Sequence, residues 1–279
     1  MTDSFFLPRA SKGQPQEASD WCIFADVASL SLEFTRLSQL TKDPKYYDAV
    51  QRISDQLELA QNLTKLPGMW PMSINARDLD FTFDHTFSIG AMTDSAFEYL
   101  PKEYMMLGGL KEQYRKMYED AIEVIKEKIL FRPLNKDNFD ILLAGVGRVQ
   151  ESGYELDPQG QHLACFAGGM VGIGAKIFER DDELDIARKL VDGCVWAYSL
   201  MPSGIMPESF RTILSSPDDE WNGTAWYDAV VDHLNNLEGA ASEHIASKRL
   251  QPGITDYGDT RYSLRLASPP NSPYLFPPY

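Results

Sequence analysis

Apolar residues recur at helical spacing through most of the chain. The first series predicts a helix from about Ala25 to the break at Asp43 and Pro44, and its members are Val27, Leu30, Phe34 and Leu37. The pattern resumes over residues 46–61. Since only a short break separates the two segments, they are expected to form a helical hairpin.

Two further helix pairs are predicted on the same plan. Helices are expected from near Ser95 to the turn at 108–109, over 113–130, beyond the small-residue-rich stretch 161–170, and from the turn at 181–182 to Tyr198. Strand-like patterns are confined to residues 78–83 and 142–149. Repeated hairpins joined by longer loops predict an all-α domain, a partial αα barrel of about seven helices with small β patches in its loops.

Composition and charge narrow the function classes. The 279 residues are 43% apolar, enough for a substantial core, whereas residues 1–20 lack periodicity and are expected to be loop or disordered. The formal net charge of −15 argues against nucleic-acid partners and anionic membrane surfaces. No apolar run approaches the ~20 residues that span a bilayer, and residues 1–14 lack the pattern of a signal peptide.

The stretch 87–100 combines a glycine turn, two acids and the start of an aromatic-rich helix. Asp94 and Glu98 are four residues apart and share a face at a helix start, where the macrodipole favours negative charge. Such a position suits catalytic carboxylates. The alternative is a capping box in which Ser95 accepts a bond from the amide of Glu98, and the pattern alone leaves both interpretations open.

Residues 87–109 resemble the signature of the class I α-1,2-mannosidases, glycoside hydrolase family 47, especially its fungal members. Other segments resemble further motifs in the family's order, and these are residues 32–38, 162–166, 204–208 and 262–265. The resemblance implies a barrel of seven hairpins, of which this chain holds roughly half. It implies a single incomplete catalytic domain over residues 1–279, family-like over 21–265, with a divergent tail at 266–279.

The function implied by the resemblance is inverting hydrolysis of terminal α-1,2-linked mannose from high-mannose N-glycans. Asp94 would be a catalytic carboxylate. The residues implied to line the pocket for sugar and calcium are Glu33, Glu98, His162, Glu208 and Arg265.

The same residue types have plainer interpretations. Glu33 also fits a surface pair with Arg36, His162 a structural histidine, and Glu208 a solvated acid in a proline turn. No metal ligand stands at suitable spacing around His162, so metal binding by this histidine is not expected. Met92 stands where family members of the endoplasmic reticulum type have arginine, which resembles the broader Golgi and fungal enzymes.

Three cysteines leave one unpaired, which on counting alone suggests reduced thiols. The resemblance instead implies a disulfide between Cys165 and Cys194 and hence the secretory pathway or secretion. Glycosylation sequons at Asn62 and Asn222 are compatible with that compartment.

The family pattern stops after Arg265, because Leu266 and Ala267 stand where the family has Pro-Glu with its catalytic base. The threonine that binds calcium directly in the family also has no match, which predicts weak calcium binding at best. We expect a frameshifted, misspliced or truncated gene model, which sequencing the transcript through Arg265 tests.

Three functions remain open: the mannosidase, an inactive relative that binds mannose glycans, and an intracellular helical scaffold. An incomplete barrel should also expose apolar faces and self-associate.

Overall fold

The computed structural model describes residues 12–13, 17–135, 137–201, 204–215 and 256–257. These residues contain seven α-helices, which are α1 (Phe24–Ala28), α2 (Ser31–Thr41), α3 (Lys45–Gln61), α4 (Asp94–Met106), α5 (Glu112–Val124), α6 (Ala167–Ile177) and α7 (Glu183–Ser199). A π-helical turn, Ile125–Ile129, extends α5, and a 3₁₀ helix, His162–Phe166, precedes α6. Over the described part of the chain, the prediction of an all-α fold with about seven helices is confirmed.

Ten short strands lie outside the helical hairpins. They are β1 (Cys22–Ile23), β2 (Ser73–Ile74), β3 (Thr86–Phe87), β4 (Leu130–Phe131), β5 (Leu143–Ala144), β6 (Val146–Gln150), β7 (Gly153–Asp157), β8 (Gln159–Gln161), β9 (Ser209–Arg211) and β10 (Asp256–Tyr257). They form four small antiparallel sheets, ordered β1-β2, β10-β9-β8, β3-β6-β7 and β4-β5. The predicted β patches are therefore present in the loops.

The first helices of the hairpins α2–α3 and α4–α5 lie side by side and run in the same direction. Ser29 Oγ, just before α2, donates to Ser95 Oγ at the start of α4 (2.7 Å). Further along both helices, Thr35 Oγ1 donates to Glu103 Oε1 (2.6 Å). Because the contacts advance along both helices together, the helices are parallel, as the corresponding helices of an αα barrel are.

The third hairpin continues this layer. The amide of Ala91 before α4 donates to Gln161 Oε1 before α6 (2.8 Å), and near the helix ends the rings of Tyr104 and Phe178 meet at 5.1 Å. The starts of α2, α4 and α6 therefore lie at one end of the layer. The second helices α3 and α5 also pack together, since the hydroxyl of Tyr114 of α5 donates to Ser54 of α3 (3.0 Å).

Aromatic packing seats the long loop between α3 and α4 on the helices. Trp70 is almost fully buried, stacks on Phe24 with ring centroids 5.4 Å apart, and contacts Phe97 of α4 at 5.7 Å. Its indole N–H donates to the carbonyl of Leu57 (2.9 Å), so the ring is buried with its polar atom satisfied. None of the described helices is both long and apolar enough to cross a bilayer.

Residues 78–83 form turns and bends apart from an isolated bridge between Asp80 and Asn75, so the strand predicted there is wrong. The Asn75 side chain accepts bonds from the amides of Arg77 and Asp78 (3.1 and 3.0 Å), and Leu79 has a left-handed φ of 53°. Asparagine favours such turns by bonding the backbone just ahead of it, and this competes with strand pairing. Apolar alternation carries no sign of that competition.

The strand predicted over residues 142–149 is present in two parts, β5 and β6, separated by Gly145. The helix predicted over 113–130 is α5 with its π-helical extension, which ends one residue early. Most of residues 1–20 lie outside the described part of the chain.

Candidate active site

The loop before α4 is held by hydrogen bonds from buried side chains. Thr93 is fully buried, and its Oγ1 donates to the carbonyl of Ser88 (2.7 Å). The Ser88 hydroxyl accepts from the amide of Gly90 (2.9 Å), and the carbonyl of Gly90 accepts from the amide of Asp94 (2.9 Å). These bonds fix Asp94 as the first residue of α4.

One carboxylate oxygen of Asp94 is occupied and the other is open. The amide and hydroxyl of Ser95 donate to Oδ1 (2.7 and 3.3 Å), while Oδ2 has no hydrogen-bond partner among the described residues. The capping-box alternative is wrong, because the helix starts at Asp94 and no side chain caps it. Glu98 does not reach back to the helix start, because its Oε1 accepts from Lys102 Nζ (2.5 Å).

Glu33, in the first turn of α2, faces α4. Its Oε1 accepts from the hydroxyl of Tyr99 (2.8 Å), and its side chain is exposed. The predicted alternative of a surface pair with Arg36 is wrong, since the Arg36 guanidinium donates to Gln39 instead (3.0 Å). Burial, helped by the Glu33 carboxylate, raises the pKa of Tyr99 to about 12, so the phenol remains a donor at neutral pH.

His162 and Glu208 lie beside each other on separate segments. The amide of His162 donates to the carbonyl of Glu208 (2.9 Å), and both side chains are exposed. The His162 Nε2 atom lies 2.6 Å from the hydroxyl of Tyr198 at the end of α7. The predicted disulfide between Cys165 and Cys194 is present, with its Cα atoms 5.6 Å apart. It joins the 3₁₀ helix that carries His162 to α7, which carries Tyr198.

A close approach of two loops connects these parts. An added Cβ at Gly90 would lie 2.2 Å from Gln161 Oε1, so only glycine lets the Ala91 amide reach that side chain. The structure therefore brings the segments that carry the predicted site residues to one end of the helix layer; the described members are Glu33, Asp94, Glu98, His162 and Glu208. No hydrogen bond joins two of these side chains, and Arg265 lies outside the described residues.

Sequence reasoning missed Glu103, which is fully buried between α2 and α4. Its Oε1 accepts from Thr35, its Oε2 has no partner in the described part of the chain, and burial raises the pKa of this carboxyl. A signal was present in the pattern, since Ala96, Leu100 and Glu103 share one helical face and the first two are apolar. An acid on an apolar helix face marks a buried carboxyl.

Calcium binding would depend on how the oxygen atoms of the site residues are arranged. Calcium takes 6–8 oxygen ligands, usually with several carboxylates converging on the ion. Among the described residues, no group of three or more histidine, cysteine, aspartate or glutamate side chains is placed to hold a metal ion. One oxygen of Glu33 accepts from Tyr99 and one oxygen of Glu98 from Lys102, which leaves each acid a single oxygen without a partner among the described residues. The described residues therefore do not fit a calcium cage.

Known proteins of one family are similar in sequence to most of this chain. The family model described as Glycosyl hydrolase family 47 matches residues 3–265. The chain is 33% identical over 192 residues to Mannosyl-oligosaccharide 1,2-alpha-mannosidase IB of Homo sapiens. It is 32% identical over 194 residues to Endoplasmic reticulum mannosyl-oligosaccharide 1,2-alpha-mannosidase of Mus musculus. These alignments cover 68% and 70% of this chain but 28% of either relative, so the chain spans less than a third of their length.

A solved structure shows the same fold. The alpha-1,2-mannosidase from Trichoderma reesei superposes with a TM-score of 0.66 at 23% identity, covering 91% of this chain and 48% of that chain. The likeness confirms that the helical hairpins, whose first helices run parallel to one another, are part of an αα barrel. Because the family model matches nearly the whole sequence, the chain belongs to glycosyl hydrolase family 47.

Proposed function

We propose that the chain is a mannosyl-oligosaccharide α-1,2-mannosidase that hydrolyses terminal α-1,2-linked mannose of high-mannose N-glycans with inversion. The supporting observation is that the starts of α2 and α4 bring Glu33, Asp94 and Glu98 to one end, beside the segments that carry His162 and Glu208. The relatives in the same family are named for this activity. In this proposal the chain is a single incomplete catalytic domain, which is family-like over residues 21–265.

Asp94 is the proposed catalytic carboxylate. Glycoside hydrolysis needs one carboxyl group to protonate the leaving oxygen and another to activate water, about 6.5–9.5 Å apart in inverting enzymes. Ser95 holds Asp94 Oδ1, so Oδ2 is the oxygen available to a leaving oxygen or an attacking water. Both roles fit this geometry.

The other acids are proposed to bind the sugar. Glu33 and Glu98 each have one oxygen engaged by a neighbouring donor and one oxygen without a partner among the described residues. Sugar hydroxyls donate to such oxygens. His162 would contact the sugar from the opposite segment, with its ring held by Tyr198, and Glu208 would line the same cleft. Arg265 is carried into the proposal on the resemblance alone.

A second candidate function is mannose binding without hydrolysis. It is favoured by Leu266 and Ala267, which stand at the position of the family's Pro-Glu. An acid without an opposing base loses most of its hydrolytic power, while the hydroxyl-binding acids would remain.

Two measurements on the same preparation separate the candidates. Mannose release from α-1,2-linked mannobiose is followed by product analysis, and binding of the same sugar by calorimetry. Turnover supports the mannosidase. Binding without turnover supports the second function and contradicts the first, and absence of both contradicts both.

For calcium we propose weak binding at best. Among the described residues no group of three or more acid, histidine or cysteine side chains is placed to hold a metal ion, so we expect no rise in melting temperature at micromolar calcium. A rise of several degrees would contradict this expectation.

The Cys165–Cys194 disulfide supports folding in an oxidising compartment, and the secretory pathway is the proposed location.

The proposed partners are a high-mannose oligosaccharide and a second copy of the chain. Val191 and Val195, one turn apart on α7, are both exposed apolar side chains, which supports self-association. Light scattering over a concentration series measures it, and a constant monomer mass would contradict it.

A further inference from the structure

A polar sheet face lies beside the proposed active site. Strands β8 and β9 pair antiparallel, with Gln159 opposite Arg211 and Gln161 opposite Ser209. The middle residues of both strands are buried and the outer ones are partly exposed. Because side chains alternate along a strand, these four polar side chains share one face.

The opposite face of the same strands is fixed in the core. An added Cβ at Gly160 would lie 2.4 Å from Phe210 Cζ, so only glycine lets this fully buried ring lie against β8. The ring determines which face of the ladder is turned inward. The polar face is consequently held outward.

One end of the polar face touches the loop that carries Asp94. Gln161 Oε1 accepts from the amide of Ala91, three residues before Asp94, and the Gln161 amide nitrogen has no partner among the described residues. The side chains of Gln159 and Ser209 also have no hydrogen-bond partner among the described residues. These three side chains can bond a ligand without giving up an internal bond.

The other end of the face is an arginine pair on one aspartate. Arg211 and Arg148 both donate to Asp157 Oδ2, at 3.0 and 3.3 Å. Asp157 Oδ1 and Arg148 Nη1 are buried and have no partner in the described part of the chain. The side chain of Asp157 is 11% exposed and those of the two arginines 37%. The accessible parts of the two guanidinium groups can therefore donate to a ligand, while the buried Asp157 holds them in place.

The size and chemistry of this face suit sugar rings. From Glu208 to Arg211 the chain advances about 10 Å, at ~3.3 Å per residue. Sugar hydroxyls both donate and accept, and amide, hydroxyl, carboxylate and guanidinium groups supply the matching partners.

We propose that this face binds the sugar residues beyond the terminal α-1,2-linked pair of an oligosaccharide whose end lies at Asp94. The face comprises Gln159, Gln161, Ser209, Arg211, Arg148 and Asp157. The proposal rests on the function proposed above and extends it, since it assigns the region that distinguishes a long glycan from a disaccharide.

The test compares two sugars in calorimetric binding to the full chain. One is α-1,2-mannobiose and the other a high-mannose oligosaccharide that ends in the same linkage. Gln159→Ala removes a side chain with no internal bond, and Arg211→Lys keeps the charge but not the planar fork of donors. Arg188→Ala is the matched control, because Arg188 is an exposed arginine of α7 paired with Asp185 and Asp192.

Both face variants are expected to weaken oligosaccharide binding about tenfold, and mannobiose binding less than about twofold. The control should leave both affinities unchanged. Equal losses for the two sugars, or no loss for either, would overturn the inference while leaving the proposed function intact. Loss of oligosaccharide binding in the variants of a wild type that releases no mannose would uphold the inference and sink the hydrolytic function. A folded wild type that binds neither sugar would overturn both.

Discussion

Two groups of acidic side chains in this molecule have opposite surroundings. The acid end, defined as Glu33, Asp94 and Glu98, has partly or fully exposed side chains at the starts of α2 and α4. The Glu183 cluster contains Glu183, Glu123, Lys126 and Arg180. Glu183 is fully buried, and its Oε1 accepts from Lys126 Nζ at 2.9 Å and from Arg180 Nη2 at 2.7 Å.

The difference separates acids that stabilise the fold from acids that are free to bind. In the Glu183 cluster two cations compensate a buried charge, and removing one partner of a buried pair leaves an uncompensated charge in the interior. At the acid end, water reaches the carboxylates, and the measured worth of exposed ion pairs is small. Substitution of the acid end should therefore affect ligands, and substitution of the cluster should affect folding.

The largest expected effect is on catalysis at Asp94. Asp94→Asn keeps the size of the side chain but removes its charge and proton chemistry, so mannose release should fall about 10³-fold, equivalent to about 4 kcal/mol in the barrier. The free energy of unfolding should change by less than about 1 kcal/mol, since the asparagine side-chain oxygen can still accept the bonds from Ser95 and only the favourable charge at the helix start is lost. Turnover and urea unfolding measure the two effects. Equal turnover in Asp94→Asn and wild type would remove Asp94 from the catalytic site.

The next effect is on stability at Glu183. Glu183→Gln leaves the partly buried Lys126 and Arg180 paired only with the more exposed Glu123, and we expect a loss of about 2 kcal/mol in the free energy of unfolding. Urea denaturation measures it. Glu33→Gln at the acid end is the matched control and should lose less than about 1 kcal/mol. Similar losses in both variants would break the comparison between the two groups.

Glu103 lies between the two classes, because it is buried without a cation. Burial, assisted by the nearby Glu33, raises its pKa above the ordinary value of 4.5, and the bond from Thr35 only partly opposes this. The protonated form is tolerated below pH 4.5, and the stability that it contributes is lost as pH rises through the raised pKa.

Glu103→Gln imitates the protonated form and should lack this loss. Its free energy of unfolding should gain on that of the wild type as pH rises from 4.5 through the raised pKa, by at most about 1.4 kcal/mol per pH unit. Urea denaturation over a pH series measures the difference. A difference that is independent of pH would show that Glu103 titrates normally.

The smallest effect is expected at Tyr99. Tyr99→Phe removes the bond to Glu33, and because the freed carboxylate is exposed and can be hydrated, stability should fall by about 0.5–1.5 kcal/mol. Thermal unfolding measures this change. Sugar binding should weaken as well, since Glu33 would no longer be held towards α4. A loss as large as that of Glu183→Gln would place Glu33 among the structural acids.

Most of the helices were predictable because their apolar period and their breaks are local properties, but the break at Ser29 and Leu30, which divides the first predicted helix into α1 and α2, was missed because no glycine or proline marks it. The turn between α4 and α5 is an example, since Gly108 and Gly109 have the left-handed φ values, 65° and 74°, that favour glycine. The site segments were predictable only through family resemblance. The partners of Glu33 and of Asp157 were not predictable, because Tyr99 and Arg211 are 66 and 54 residues away and no local pattern records such pairings.

The central claim is that a mannoside binds at the acid end and leaves the Glu183 cluster untouched. Titration of the isotope-labelled chain with α-1,2-mannobiose, followed by amide chemical shifts, tests it most directly. We predict that the shifted amides are those of the starts of α2, α4 and α6 and their neighbouring loops, including Ala91, Ser95 and His162, while Lys126 and Glu183 stay constant. Shifts centred on the Glu183 cluster, or no shifts at saturating sugar, would contradict the claim.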